Sequence, residues 1–169
     1  AIVGKSTRFF QASSALALNK TYPYGIIKDA ADNFIEMFRK EKGVFACSGF
    51  FYPHESPRRG EKFFTKKVCM AVARIAVNGS DDKLQLGDLS ALRDWGYAPE
   101  YVEAMWLMLQ QKLPDDYVIA TGESHSVAEF VGWVKKATGK KFKVIYEEKY
   151  DRPVDVPYLC GDASKAHDM

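Results

Sequence analysis

Apolar positions along the chain switch repeatedly between two periods. Arg8-Phe9-Phe10-Gln11-Ala12-Ser13 is a short apolar-rich run, which predicts a buried strand. Ile26, Ile27, Ala30, Ala31, Phe34, Ile35 and Phe38 then recur three and four residues apart. That spacing predicts one face of a helix, with Gly43 as its C-terminal cap. Val44–Cys47 predicts a strand, and Pro53–Gly60 a polar loop. A helix is expected from Phe64 to Val77, closed by Asn78-Gly79, followed by a short strand at Leu84–Leu86. Pro99 suits the first turn of a helix reaching about Lys112. Tyr117–Ala120 and Phe142–Tyr146 predict two more strands. Between them, Ser126 and Glu129 have the spacing of a capping box. Asp162 is placed to cap a last helix. Strands alternating with helices predict βα units and a largely parallel sheet, hence the α/β class. In such sheets ligands bind at the carboxyl ends of the strands.

Composition narrows the picture. With 169 residues, 47% hydrophobic and 27% charged, the chain is of a size for one globular domain, or one and a small piece. Its 24 basic and 22 acidic side chains leave a net charge of +2, which argues against a strongly basic nucleic-acid binder. No apolar run approaches the ~18 residues of a membrane span. AIVGKSTRFF holds no long apolar stretch of a signal peptide, so a cytoplasmic protein is expected. Cys47, Cys69 and Cys160 form no C-x-x-C pair and read as reduced thiols. His54, His125 and His167 are too far apart to suggest a metal site.

Few motifs carry chemistry by themselves. Gly4-Lys5-Ser6 looks like the tail of a phosphate loop, but the sequence starts too late to show the glycine the motif needs five residues earlier, and a strand, not a helix, is expected next. No G-x-G-x-x-G occurs. Tyr24 and Lys28, four apart at a helix start, share one face. An ammonium beside a phenol favours the phenolate, which can take a proton from an alcohol as hydride leaves the carbon. Ser13 or Ser14, at the preceding strand end, could hydrogen-bond the same oxygen. Arg58, Arg59, Lys62, Lys66 and Lys67 make a basic cluster suited to diphosphate oxygens, and Arg93 and Arg152 could add a second grip.

Longer strings carry a resemblance. They are Phe10-Gln11-Ala12-Ser13, FACSGFFYPHESPRRGEKFFTKKV from Phe45 to Val68 and LGDLSALRDWGYAPEYVEAMWLMLQQ from Leu86 to Gln111. To these are added DDYVIATGESHSVAEFV from Asp115 to Val131 and YDRPVDVPYLCGDASKA from Tyr150 to Ala166. Together they resemble the GDP-mannose 4,6-dehydratases, extended short-chain dehydrogenase/reductase enzymes, over nearly the whole chain.

The resemblance implies the C-terminal part of a Rossmann-like doubly wound parallel sheet plus a smaller substrate-binding α/β region. Residues 1–52 would be the remainder of an NADP-binding domain carrying the Tyr-x-x-x-Lys helix. Residues 53–169 would hold a mixed sheet and the nucleotide-sugar part, interleaved with Rossmann elements. It implies oxidation of GDP-mannose at C4 by NADP, loss of water across C5–C6 and return of hydride to C6. Tyr24 would be the base, Ser14 the hydroxyl and Lys28 the partner of both Tyr24 and the ribose. His54 and Arg59 match NADP contacts. Lys67, Arg93 and Arg152 fall on the substrate side, with Asp155 where the family has a Glu near the nucleotide ribose. A homo-oligomer, dimer or tetramer, is implied, with neither nucleic acid nor membrane as partner.

The sequence departs from that pattern in four ways. Leu16 stands where the family has the Glu that removes the C5 proton. The Ser14–Tyr24 segment is short, the glycine-loop half of the Rossmann domain is not among these residues, and Pro53 replaces an Asn. Two further readings stay open: a sugar-nucleotide reductase or epimerase of the same superfamily, and a non-catalytic GDP-sugar-binding remnant.

Overall fold

A computed structural model describes residues 7–20, 22–78, 83–150 and 156–169. Along the chain run β1 (Phe9–Ala12), α1 (Ala15–Leu18), α2 (Pro23–Lys42), β2 (Ala46–Phe51), β3 (His54–Glu55), α3 (Phe64–Asn78), β4 (Leu84–Leu86) and β5 (Leu92–Arg93). Then come β6 (Gly96–Tyr97), α4 (Ala98–Met108), β7 (Tyr117–Ile119), β8 (His125–Ser126), α5 (Val127–Thr138), β9 (Val144–Tyr146), β10 (Tyr158–Leu159) and α6 (Ser164–His167). The α/β class is as expected. The chain forms two compact units. The first runs to His54 and takes in Asp94–Glu123 and Cys160–Met169; the second comprises Glu55–Arg93 and Ser124–Leu159.

The first unit is built on a parallel sheet of order β1-β2-β7. Phe10 lies opposite Cys47, and Gly49 opposite Tyr117. Cys47, Phe51, Tyr101, Met108, Tyr117 and Ile119 form its core, with Phe10 packed against them. Gly49 sits in mid-strand because the Phe51 and Phe10 rings fill the space a Cβ would need. Pro23 opens α2, whose last turn carries Arg39, Lys40 and Lys42 before Gly43 at φ 61°. Cations there complement the negative helix end, and glycine takes the left-handed turn without strain. Arg39 pairs with Asp116, which also accepts the Ser48 N–H at 2.6 Å, tying α2 to β2 and to the entry of β7.

One buried carboxylate joins three separate stretches of this unit. Asp94 is wholly buried. Its Oδ1 accepts the Thr121 N–H at 2.9 Å and the Thr121 hydroxyl at 2.7 Å, and its Oδ2 accepts the N–H groups of Gly122 at 3.0 Å and Gly161 at 3.2 Å. Gly161 comes so close to Ala120 and Tyr52 that a Cβ would collide with both.

In the second unit α3 lays Val68, Val72 and Ile75 on Leu84 and Leu86 of β4, with Val131 and Phe142 completing the core. Strand β4 pairs parallel with β9; β5 pairs parallel with β10 and antiparallel with β8. The capping box of α5 is formed: Ser126 Oγ accepts the Glu129 N–H at 3.1 Å, and the Glu129 carboxylate accepts the Ser126 N–H at 2.6 Å. Hydrogen bonds from the Ser126 backbone and side chain hold the Glu129 carboxyl below its ordinary range.

Several expectations need correction. The second strand is Ala46–Phe51, not Val44–Cys47, because pairing with β1 and β7 carries it through Gly49. Helix α4 stops at Met108 instead of near Lys112, and the last long strand starts at Val144, leaving Phe142 to the core. Asp162 accepts the Ser164 N–H at 3.0 Å, but the helix behind it is a single turn. The pairing is spread over several small sheets. The apolar spacing of α2 is helical as expected, yet Ile26, Ile27, Phe34 and Phe38 are exposed; the face that meets the strands carries Lys28 and Asp32.

Two outcomes follow from this packing. A buried donor left without its partner costs about 1–3 kcal/mol, so Asp94→Ala should lower the unfolding free energy by about 2–4 kcal/mol. A urea midpoint unchanged from wild type would contradict the clamp. Burial, and then the Asp116 carboxylate, push the Cys47 thiol up from 9.0 to about 11. The fold therefore favours the protonated thiol. That contribution is complete below pH 9.0 and is lost as pH rises toward 11. At pH 8, iodoacetamide should modify the exposed Cys69 and spare Cys47 until denaturant is added, read by mass spectrometry of peptides.

Candidate active site

The carboxyl end of β1 turns at once into α1 and then α2, which crowds three polar side chains into one corner of the first unit. Ser14 is the N-cap of α1: it holds an extended backbone (φ −150°, ψ 148°), and its Oγ accepts the Leu16 N–H at 3.2 Å. Tyr24 stands in the first turn of α2 and is 53% exposed, open to a ligand. Lys28, one turn on, places Nζ 5.7 Å from the Tyr24 ring centroid and donates to the Ala12 carbonyl at 2.6 Å. The strand end thus fixes the ammonium on the face it shares with the phenol.

Glycine makes the close approach possible. A Cβ on Gly25 would run into the Leu16 carbonyl and lie 3.0 Å from that of Asn19. The short helix holding Ser14 therefore rests directly on the start of α2. Leu16 is half-buried in α1 and brings no titratable group to this corner.

The other expected site residues fall in different places. His54, also in the first unit, stacks on Tyr101 at 4.9 Å, and its Nδ1 lies 2.8 Å from the Tyr52 carbonyl. A carbonyl only accepts, so the ring proton is on Nδ1 and Nε2 is left as an acceptor. Tyr101 is buried against His54; burial, then the charges of Asp94 and Glu100, raise its phenol well above the ordinary tyrosine range.

Arg59, Lys67 and Arg93 belong to the second unit. Arg59 pairs through Nε with Glu55 at 3.2 Å and lies over the Phe63 ring at 3.6 Å. Glu55 also accepts the Thr65 hydroxyl at 2.6 Å. Lys67 donates to the Gln85 carbonyl at 3.2 Å and sits 3.6 Å from the Tyr150 ring centroid. Burial, and then Lys149, lower its ammonium below the ordinary lysine value. Arg93 donates to the carbonyl of Leu92 at 2.8 Å. Arg152, Asp155 and Gly4-Lys5-Ser6 lie outside the described residues.

Sequence reasoning passed over two carboxylates. Asp94, between Arg93 and Trp95, has no periodic signal, and its two partner segments, Thr121-Gly122 and Gly161, are remote in sequence. Asp32 had a signal: it follows Lys28 by four residues and so shares its helix face.

The chain matches one family along almost its whole length. The family model described as GDP-mannose 4,6 dehydratase matches residues 2–169. GDP-mannose 4,6 dehydratase 1 of Arabidopsis thaliana is 44% identical over 181 residues, covering 98% of this chain and 50% of its own length. GDP-mannose 4,6 dehydratase of Dictyostelium discoideum is 40% identical over 197 residues, 96% of this chain and 54% of its own. Among solved structures, RMD from Pseudomonas aeruginosa complexed with NADPH superposes with a TM-score of 0.87 over 98% of this chain and 60% of that one. At 16% identity that likeness speaks for the fold alone, and the fold is the Rossmann-like one expected from the sequence. The chain spans about half the length of the curated relatives it matches. A match from residue 2 to residue 169, with relatives 40% and 44% identical over nearly the whole chain, places the chain in the GDP-mannose 4,6 dehydratase family.

Proposed function

We propose that the whole protein is an NADP-dependent GDP-mannose 4,6-dehydratase, making GDP-4-keto-6-deoxymannose, the precursor of GDP-fucose. The observation that carries this reading is the Ser14, Tyr24 and Lys28 corner, within a chain that matches this family from end to end. Tyr24 takes the proton of the C4 hydroxyl, Ser14 hydrogen-bonds the same oxygen, and Lys28 keeps a positive charge beside the phenol. Reversible hydride acceptance, from C4 and back to C6, is the chemistry a bound nicotinamide would supply.

The residues present fit such a cofactor. Lys28 spends one of its three ammonium protons on Ala12, leaving two for ribose hydroxyls. His54 keeps Nε2 as an acceptor, and Arg59, paired through Nε, keeps its terminal nitrogens for phosphate oxygens. In this reading Lys67, Arg93, Arg152 and Asp155 face the GDP-sugar, and the protein is a homo-oligomer, dimer or tetramer. Among the described residues no helix is long and apolar enough to cross a membrane. Three free cysteines support the cytoplasmic location proposed with it.

Leu16 favours a second reading, a reductase or epimerase of the same superfamily that changes C4 without dehydration. Loss of water needs a base for the C5 proton, and a leucine has none.

Turnover of GDP-mannose with NADP distinguishes the two. Tyr24→Phe should lower kcat by about 10²–10⁴-fold in either case. A 4-keto-6-deoxy product from wild type supports the dehydratase. A product oxidised or inverted at C4 with its C6 hydroxyl retained supports the second reading, and Leu16→Glu should then raise the 6-deoxy fraction. Undiminished kcat in Tyr24→Phe would overturn both.

A further inference from the structure

Asp32 lies on α2 one turn beyond Lys28, on the face turned toward β1. Its Oδ2 accepts the hydroxyl proton of Ser13, a residue only 6% exposed. The preceding residue, Ala12, accepts Lys28 Nζ at 2.6 Å. Helix α2 is thus fastened at two consecutive residues of the strand end, and the next residue is Ser14. The second carboxylate oxygen, Oδ1, is buried and has no hydrogen-bond partner among the described residues. An unsatisfied buried oxygen is unfavourable, so stability alone gives little reason for a carboxylate here. A charge-assisted bond to Ser13 gives a reason, since it is stronger and more directional than a neutral one.

We propose that Asp32 is a positioning residue. Through Ser13 it sets the end of β1, and with it both the Ser14 hydroxyl and the Ala12 carbonyl that orients Lys28. The role rests on the catalytic reading above. It needs no contact between Asp32 and the substrate, because displacing a reacting group by about 1 Å can cost about 10²-fold in rate.

The test is steady-state kinetics of the intact protein with GDP-mannose and NADP. Asp32→Ala and Ser13→Ala should each lower kcat by about 10–100-fold while KM for GDP-mannose stays within about threefold. The double variant should be no slower than Asp32→Ala, since both remove one bond. Asp32→Asn keeps an amide oxygen able to accept from Ser13, by a weaker neutral bond, and should recover part of the lost kcat, leaving it between Asp32→Ala and wild type. Wild-type kcat in Ser13→Ala would sink the proposal, as would losses that multiply in the double variant or an Asp32→Asn as slow as Asp32→Ala. Should Asp32→Ala fail to fold, Ser13→Ala and Asp32→Asn decide. Wild-type protein without turnover would overturn the catalytic reading and this role with it; active wild type with unaffected variants overturns this role alone.

Discussion

A single buried side chain, the Asp94 carboxylate, gathers the parts of the first unit that the chain supplies out of order. The chain leaves and re-enters that unit next to Asp94, Glu123 and Cys160. Asp94 binds Thr121, Gly122 and Gly161, so three of the four crossing points, all but the one after His54, are tied to one carboxylate on the first unit's side. A buried charge is tolerable only when its lone pairs are satisfied, and here four donors converge on two oxygens. The loop after β7 is thereby held at the carboxyl end of the sheet, the end where α/β proteins place their ligands.

The candidate site follows the same logic on a smaller scale. Three of its side chains are oriented by backbone groups: Ser14 by the Leu16 N–H, Lys28 by the Ala12 carbonyl, His54 by the Tyr52 carbonyl. Backbone partners are fixed once strand and helix have formed, so these side chains need little further ordering when a ligand arrives. Gly25 completes the corner, because only a residue without a Cβ lets α1 rest on the first turn of α2. Lys28 and Asp32 occupy the inner face of α2 where apolar residues would ordinarily pack, and several of its apolar residues face outward. Hydrogen bonds from Lys28 and Asp32 thus add to packing by half-buried Ala31 and Ile35 in positioning this helix.

The charged residues proposed to meet phosphate are engaged with one another's surroundings in a similar manner. Arg59 is held between the Glu55 carboxylate and the Phe63 ring, and Lys67 between the Gln85 carbonyl and the Tyr150 ring. Cations seated on aromatic faces keep a defined direction while retaining donors for an anion.

The sequence by itself determined the elements whose signals are local. Pro23 and Gly43 bound α2, Ser126 and Glu129 start α5, and the βα alternation sets the class. The four-residue spacing of Tyr24 and Lys28 puts both on one face whatever the helix packs against. Tertiary structure decided the rest. Strands of two residues, such as β5, β8 and β10, are too short to show a period and exist only through partners remote in the chain. The strand expected at Val44–Cys47 runs on through Gly49 to Phe51 because parallel neighbours flank it on both sides. Helical spacing marks a helix but not which face is covered, so the outward Phe34 and Phe38 could not be foreseen. Asp94 and Asp32 gain their roles from donors that only folding brings near. A hydrogen bond depends on distance and angle in space, and residue order fixes those only within a turn or two of helix.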